Sequence, residues 1–512
     1  MRQRDSLKNF VFGILGFVIT TLLGIIIPRL FLLSYGSEVN GLINSVKQIF
    51  SYFTLLEAGV GGATLQALYG PVAKNEYNEV SSILLATKNF YKKTGIIYAI
   101  SVIVFAVAYP IIVSSEIPKY IIVFIILFQG EAGVVKYLVT ARLQLLLKVD
   151  GKTYIITNLS TIFTIISNIA RISLMYMGFG VFWVQGIFCI IDILQVIYIV
   201  VYMRRHYGWL DDNAKPNYAA LGQRNSVLVH QLSGLVFNNT DTIILTFFCG
   251  LKVVSVYAMY SLLFGMIASI ISTFSSSVNF AMGQLFNSDK KQYTKIQECY
   301  ETYYLALSFS LFTIGFIFIL PFLKLYTSGV NDINYIDIKI AGLFLAVQLL
   351  NYGRNTSNNI IDYAGHFKET RWRSILETTI NLSVSLICVY KFGIYGVLIG
   401  TVTALAYRTN DIILYANHKI MFRSVWPTYR RWGRNVILAV LISWCGMKLP
   451  QQYSGYMTLI GTAIVVSIAV VGIFIGVNTL LEKEARETGW SYINSLLKNM
   501  KEKFKGKQCK NH

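Results

Sequence analysis

Residues 456–481 read YMTLIGTAIVVSIAVVGIFIGVNTLL, twenty-six positions without one Asp, Glu, Lys or Arg. As a helix rising about 1.5 Å per residue, this run is about 39 Å long, more than the roughly 30 Å of hydrocarbon in a bilayer. The same ruler, carried outward through the 512 residues, gives fourteen spans. They lie near 10–33, 42–68, 94–113, 120–147, 153–177, 181–203, 226–249, 253–284, 299–323, 336–361, 372–390, 394–417, 435–449 and 456–481. The thirteenth is the shortest. The sequence therefore predicts an all-α polytopic membrane protein of about 14 transmembrane helices.

Composition agrees. The chain is 54% hydrophobic and 14% charged, against roughly 45–50% and about 25% in soluble proteins. That leaves too little polar surface to dissolve two to four globules. The net charge of +20 would suggest nucleic acid in a soluble domain. In a membrane protein it points instead to basic cytoplasmic loops. With the N-terminus inside, the cytoplasmic segments hold 32 Lys and Arg and the external loops only 6. The asymmetry supports cytoplasmic N- and C-termini and no nucleic-acid partner. Arg2, Arg4 and Lys8 precede an apolar run with no small-residue cleavage site, which reads as a retained first span. The six cysteines stand apart, with no CxxC and no neighbouring His set, so neither a disulfide framework nor a metal site is expected.

The sequence repeats internally. Gly36, closing span one, meets Gly250, closing span seven, at an offset of 214; Asp150-Gly151-Lys152 meets Ala364-Gly365-His366 at the same offset. Lys74-Asn75-Glu76-Tyr77 matches Lys290-Lys291-Gln292-Tyr293, and Gly178-Phe179-Gly180-Val181 answers the run at 393–397. Two six-span halves follow, parallel because six is even, as in transporters that rock two bundles about a central site. The expected organisation is an N-lobe over 1–203 (spans 1–6), a cytoplasmic linker over 204–225 and a C-lobe over 226–417 (spans 7–12). Spans 13–14 over 418–481 and a basic cytoplasmic tail over 482–512 complete the chain.

Charges inside spans are costly, at roughly 2.5–3.5 kcal/mol each on insertion scales, so they must face protein or water. The cations are Arg29, Lys47, Lys136, Arg142, Arg171, Arg354 and Arg408; the acids are Glu57, Glu131, Asp192, Asp241, Glu377 and Asp411. Arg142 and Arg408 lie near cytoplasmic span ends, where snorkelling to headgroups accounts for them. Lys47 is placed to do the same near an outer end. Arg29 follows Pro28 and reads equally as an anchor or a ligand contact. Arg171 and Arg354 lie deeper. Glu131 and Lys136 are close enough in span four to neutralise each other, although five residues is not an ideal helical spacing.

Span ten carries Gln348, Asn351, Asn355, Asn358 and Asp362 at spacings of 3, 4, 3 and 4, with Arg354 beside them. This predicts one continuous polar face lining a cavity. In span seven, Gly234 and Asn238 lie between His230 and Asp241 on one side of the helix, either a satisfied polar cluster or an ion site. Span two has a stripe of Asn44, Lys47, Ser51, Thr54, Ala58 and Gly61 with Glu57 alongside. Gly16, Thr20 and Gly24 in span one read as helix packing. The excess of buried cation favours an anionic substrate, and the planar guanidinium suits phosphate. No Walker loop, GxSxG or HExxH occurs. A transporter of this kind would draw on ion gradients, membrane potential or downstream consumption.

Several stretches, in order along the whole chain, resemble the multidrug/oligosaccharidyl-lipid/polysaccharide (MOP) flippase superfamily, which includes the MATE-like exporters. They are Pro28-Arg29-Leu30-Phe31, Leu56-Glu57-Ala58-Gly59 with Gly70-Pro71, Asn239-Thr240-Asp241-Thr242 with Gly250 and Tyr257, and 393–397 leading to Gly400-Thr401. Within it the chain is most similar to polysaccharide exporters of Wzx type. The resemblance implies a V-shaped, two-lobed, monomeric bundle working by alternating access in the bacterial cytoplasmic (inner) membrane. Its substrate would be an undecaprenyl-diphosphate-linked oligosaccharide, moved to the outer leaflet for capsule- or O-antigen-like polysaccharide biosynthesis. A cationic lumen of Arg29, Lys47, Arg171, Arg354, Asn351, Asn355 and Asn358 would hold the diphosphate. Spans thirteen and fourteen would form a groove for the lipid tail, as in related lipid II flippases. Asp241, Glu57, Asn381, Ser385 and Thr401 are the implied ion-coupling candidates, for Na+ or H+, with no other cofactor. Membrane lipids and a polysaccharide polymerase are the implied partners.

Span one lacks the acid common in cation-coupled drug exporters, and spans one and two carry fewer arginines than lipid II flippases tend to have. Those two functions are the alternatives within the superfamily. A membrane glycosyltransferase or polymerase, the alternative from another class, generally needs a long loop bearing catalytic residues. The longest external segment here, roughly 324–335, is short and lacks such a cluster. The expectation is a transporter and not an enzyme.

Overall fold

A computed structural model describes residues 2–57, 59–219 and 239–491, and the side chains of these except 2–11, 14 and 17. His230, Gly234 and Asn238 of span seven, Ala58, Cys509 and the tail from 492 lie outside the described residues. The helices are α1 (Arg2–Phe53), α2 (Val60–Lys74), α3 (Tyr77–Ile112), α4 (Lys119–Val135), α5 (Ala141–Val149), α6 (Thr153–Tyr176) and α7 (Val181–His206). After α8 (239–248) come α9 (Leu251–Ser288), α10 (Lys290–Tyr326), α11 (Ile338–Gly353), α12 (Asn355–Ala364), α13 (Phe367–Phe392) and α14 (Ile394–Tyr415). The series ends with α15 (Trp426–Gly446), α16 (Tyr456–Leu481) and α17 (483–491). No strand occurs among the described residues.

Ten described helices are long and apolar enough to cross a membrane. The difference from fourteen has specific causes. Spans one and two run on as α1, whose only non-helical residue is Gly36 (φ 79°, ψ 178°). Span seven is described only from 239. Span ten divides at Arg354, itself in the right-handed helical region (φ −87°, ψ −11°), into α11 and α12. Span thirteen, expected at 435–449, is α15 and starts earlier, at Trp426. Arg431 and Arg434 lie within that helix because carboxylates inside the protein neutralise them.

The repeat is written in the backbone. Gly36 and Gly250 have φ of 79° and 84°, Gly151 and Gly365 of 73° and 70°, and Gly178 and Gly393 of 77° and 53°. These matched glycines sit where one helix gives way to the next, in a region that L side chains rarely occupy.

The chain forms two compact units, residues 1–258 with 329–334 and residues 259–328 with 335–512. In the first unit, the arm of α1 before Gly36 packs on α6, where a Cβ at Gly16 would lie 2.8 Å from Thr161 Oγ1. The arm after Gly36 packs on α3 and α4. There Phe50, Phe53, Tyr98 and Phe105 form a ring cluster with centroids 5.6–6.3 Å apart, each such pair worth about 0.5–1.5 kcal/mol beyond its buried area. Gly130 and Gly133 make room for Val102 and Tyr98.

In the second unit, α10 is the central and most buried long helix, with α9, α11, α15 and α16 around it. By contrast α16 presents Ile460, Ile464, Val465 and Ile468 outward, the surface expected where lipid is the solvent. Helices α13 and α14 form a tight hairpin. A Cβ at Gly396 or Gly400 would strike the backbone of 385–389.

Candidate functional site: intramembrane charges and an apolar groove

In the first unit the charges separate into paired and unpaired groups. Glu57 accepts a hydrogen bond from Tyr91 Oη at 2.9 Å and pairs with Lys136 Nζ at 3.2 Å. Lys136 therefore neutralises Glu57 on a neighbouring element and not Glu131 on its own helix. Five residues separate the latter two, and α4 gives way to a π turn at Lys136–Thr140. Both carboxylate oxygens of Glu131 are buried without a hydrogen-bond partner. Arg171 of α6 lies over the rings of Phe31 (4.8 Å) and Phe188 (5.1 Å), and its buried Nε has no hydrogen-bond partner. Among the described residues no carboxylate pairs with it. Arg29 is half-buried and Lys47 is exposed. Buried Asp241 on α8 accepts from Tyr257 Oη at 3.2 Å, while the adjacent Thr240 bonds Tyr52 at 2.7 Å.

In the second unit, Arg354, at the break between α11 and α12, bonds Glu377 at 2.6 Å and Asn351 at 3.1 Å. Glu377 also meets Arg408 at 3.4 Å, and Arg408 meets Asp411 at 2.5 Å. Asp411 pairs in turn with Arg373. Arg408 is 5% exposed. It is thus an interior link, and headgroup snorkelling does not explain it: its reach is spent on Glu377 of α13 and on Asp411 one turn along its own helix. The network sets three guanidiniums against two carboxylates, leaving one positive charge. Asn355 donates to Ser275 (3.0 Å) and Tyr304 (2.9 Å), and Asn358 donates to Asp362 (3.3 Å). Asn381 donates to Thr401 at 2.9 Å and Ser385 to the Val397 carbonyl at 3.2 Å, both across the α13–α14 hairpin.

A second buried network escaped sequence reasoning. Fully buried Glu301 of α10 receives Arg431 of α15 at 2.9 Å, and Arg431 also meets Glu482, after α16, at 3.1 Å. Arg434 meets Glu482 at 3.2 Å and Asn478 at 2.6 Å. The available signal was the pair Glu298 and Glu301, one turn apart on one face of an apolar segment.

Beside this network, α9, α10, α16 and α17 enclose a groove of about 1090 Å³. Phe274, Val278, Met282, Ile296 and Ile475 line its length, and Gln292, Arg486 and Trp490 also border it. Outside the spans, Asp212 joins Arg142 (2.9 Å) and Lys88 (3.1 Å). The hydrogen bond from Arg142, helped by Lys88, holds its carboxyl below the ordinary carboxylate range. Among the described residues no three His, Cys, Asp or Glu side chains converge as metal ligands.

No family model matches this sequence. No curated protein matches it either. Solved structures do match in fold. The lipid II flippase MurJ in an inward-closed conformation is 15% identical, with a TM-score of 0.68 over 92% of this chain and 100% of that one. An inward-facing multidrug resistance MATE family transporter of the MOP superfamily is 14% identical, with a TM-score of 0.62 over 78% and 94%. A MOP superfamily transporter from Pyrococcus furiosus, described by the reverse polarity of its binding pocket, is 12% identical, with a TM-score of 0.52 over 82% and 96%. At such identities the likeness is one of fold: this chain is a multi-pass membrane protein that shares its fold with these transporters and this flippase.

Proposed function

We propose that this chain is a flippase for an undecaprenyl-diphosphate-linked oligosaccharide, moved from the cytoplasmic to the outer leaflet of a bacterial membrane for surface polysaccharide assembly. The observation that carries the reading is the groove between α9, α10 and α16, about 1090 Å³ and walled mainly by apolar side chains. Such a wall accepts a long hydrocarbon tail by van der Waals packing, with lipid as the tail's alternative surroundings. A soluble drug-like cation has no tail to fill it.

The charges fit the other end of the molecule. Arg171 is desolvated without a carboxylate, and the Arg354–Glu377–Arg408–Asp411–Arg373 network keeps one positive charge. Guanidiniums bind phosphate oxygens through paired N–H donors. No bond is made or broken in the substrate. The work is alternating exposure of a cationic interior to the two faces, powered by a coupled ion or by consumption of the product, for instance by a polymerase. A lipid II flippase shares the diphosphate and tail requirements and differs in the glycan.

The test is photo-crosslinking. A polyprenyl diphosphate carrying a diazirine near the tail end is irradiated with the purified chain in nanodiscs, and adducts are mapped by mass spectrometry. Adducts on Phe274, Val278 or Ile475, reduced by Ala281→Trp in the groove wall, are expected. Adducts spread evenly over the lipid-facing surface, unchanged by Ala281→Trp, contradict the reading.

A further inference from the structure

Glu131 is an anomaly among the intramembrane acids. Glu57 has Lys136 and Tyr91, Asp241 has Tyr257, and Glu377 and Asp411 share three arginines. Glu131 has both carboxylate oxygens buried and, among the described residues, no cation and no N–H or O–H donor; only the weakly donating Cys189 thiol lies beside it. What acts on it comes from α7: the carboxyl of Asp192, with the Cys189 thiol beside it. Helix α4 leaves a second buried polar atom without a hydrogen-bond partner among the described residues, Gln129 Nε2.

The other elements packed on α4 bring no compensating charge. From α3, Tyr98 packs on Gly133, and from α1, Phe50 packs on Gly130. Lys136, at the end of α4, is turned to Glu57. Arg171, which α6 sends toward α7, lies over Phe31 and Phe188. An ionised carboxylate whose oxygens are buried with only a thiol beside them and no cation is a costly arrangement, and a neighbouring acid raises the cost. The arrangement is stable with a proton on Glu131. Among the described residues no three His, Cys, Asp or Glu side chains converge there as metal ligands.

We infer that Glu131 and Asp192 form a proton-binding site between α4 and α7 that supplies the coupling ion of the transport cycle. The second half of that statement rests on the proposed flippase reading; the first half does not. In the closed arrangement the carboxyl of Glu131 keeps its proton. When α4 and α7 part and water enters, the O–H bond breaks, the proton passes to water and the carboxylate is solvated. The π turn at Lys136–Thr140, one turn beyond Glu131, supplies a deformable joint for that movement.

The test has two arms on the full chain in lipid. Infrared spectroscopy in nanodiscs at neutral pH reads the C=O stretch of protonated carboxylic acids. The expected result is a band that is lost in Glu131→Gln and fades in the wild type at alkaline pH. The glutamine variant, an isostere of the protonated acid, is expected to fold and melt like the wild type at neutral pH. An unchanged band in Glu131→Gln overturns the site. In liposomes, lipid-linked oligosaccharide movement by the wild type is expected to depend on an imposed pH gradient, and movement by Glu131→Gln is expected to be independent of it. If the band behaves as expected but the gradient affects both proteins equally, the site stands and its coupling role falls. If the wild type moves no lipid-linked substrate at all, the flippase reading fails and the proton site survives on its spectrum.

Discussion

Replacing Arg431 by leucine separates the charge network from the packing around it. The Arg431 side chain is 5% exposed and reaches Glu301, which is fully buried, at 2.9 Å, and Glu482 at 3.1 Å. Arg434 still holds Glu482 at 3.2 Å after the change, but Glu301 loses its only cation among the described residues. Breaking a buried pair from one side costs about 3–5 kcal/mol, because the remaining charge is uncompensated. Removing both partners is often close to neutral for the same reason. The expected result is therefore a loss of about 3–5 kcal/mol for Arg431→Leu, with most of it recovered in Arg431→Leu/Glu301→Leu. The two residues join α15 to α10, which also walls the groove, so the single variant is also expected to show weaker tail crosslinking. The assay is equilibrium unfolding in mixed micelles, run as a double-mutant cycle. A single-variant loss under about 1 kcal/mol, or a double variant as unstable as the sum of the singles, refutes the reasoning.

Three further outcomes follow from particular contacts. Gly400→Ala places a Cβ against Ser385 N (2.7 Å) and Cα (2.9 Å); thermal unfolding is expected to show a loss of about 1–3 kcal/mol, as overpacking does, and no loss would mean that α13 and α14 are spaced more widely. Arg171→Gln gives up two cation–π contacts of about 0.5–2 kcal/mol each and with them the desolvation cost of a buried charge; the two offset, so the variant is expected to fold while diphosphate-lipid binding, read by native mass spectrometry, is lost. Asp212 titrates lower in the folded chain than in the unfolded one. Its contribution is complete above the unfolded value of about 3.9 and is lost as pH falls through the folded value. Because Asp212 is 59% exposed, that contribution is under about 1 kcal/mol, and the melting difference between wild type and Asp212→Asn is expected at neutral pH and to vanish in strong acid.

The membrane fold was legible because its signals are long. Twenty-residue apolar runs survive local irregularity. The landmarks that marked the repeat in the sequence are glycines with positive φ, positions that few other residues can fill. What periodicity could not show was where a helix stops being one helix. Along the Gln348-to-Asp362 stripe the helix divides at Arg354, beside Gly353, which makes room for Trp432 of α15. Partners across helices were equally hidden. Glu131 and Lys136 are neighbours in sequence, but Lys136 finds Glu57, 79 residues away. Arg408 near a span end looked like a headgroup contact and is an interior link. Tertiary electrostatics is set by which faces meet, and spacing along one helix does not fix that.

The central claim is tested most directly by leaflet-to-leaflet movement in liposomes containing the purified chain. Three labelled substrates are offered in parallel: an undecaprenyl-diphosphate-linked oligosaccharide, lipid II, and a cationic dye under an ion gradient. The account predicts movement of the lipid-linked oligosaccharide that is lost in Arg171→Gln and slowed by Ala281→Trp in the groove. Export of the dye with no movement of either lipid-linked substrate would contradict it.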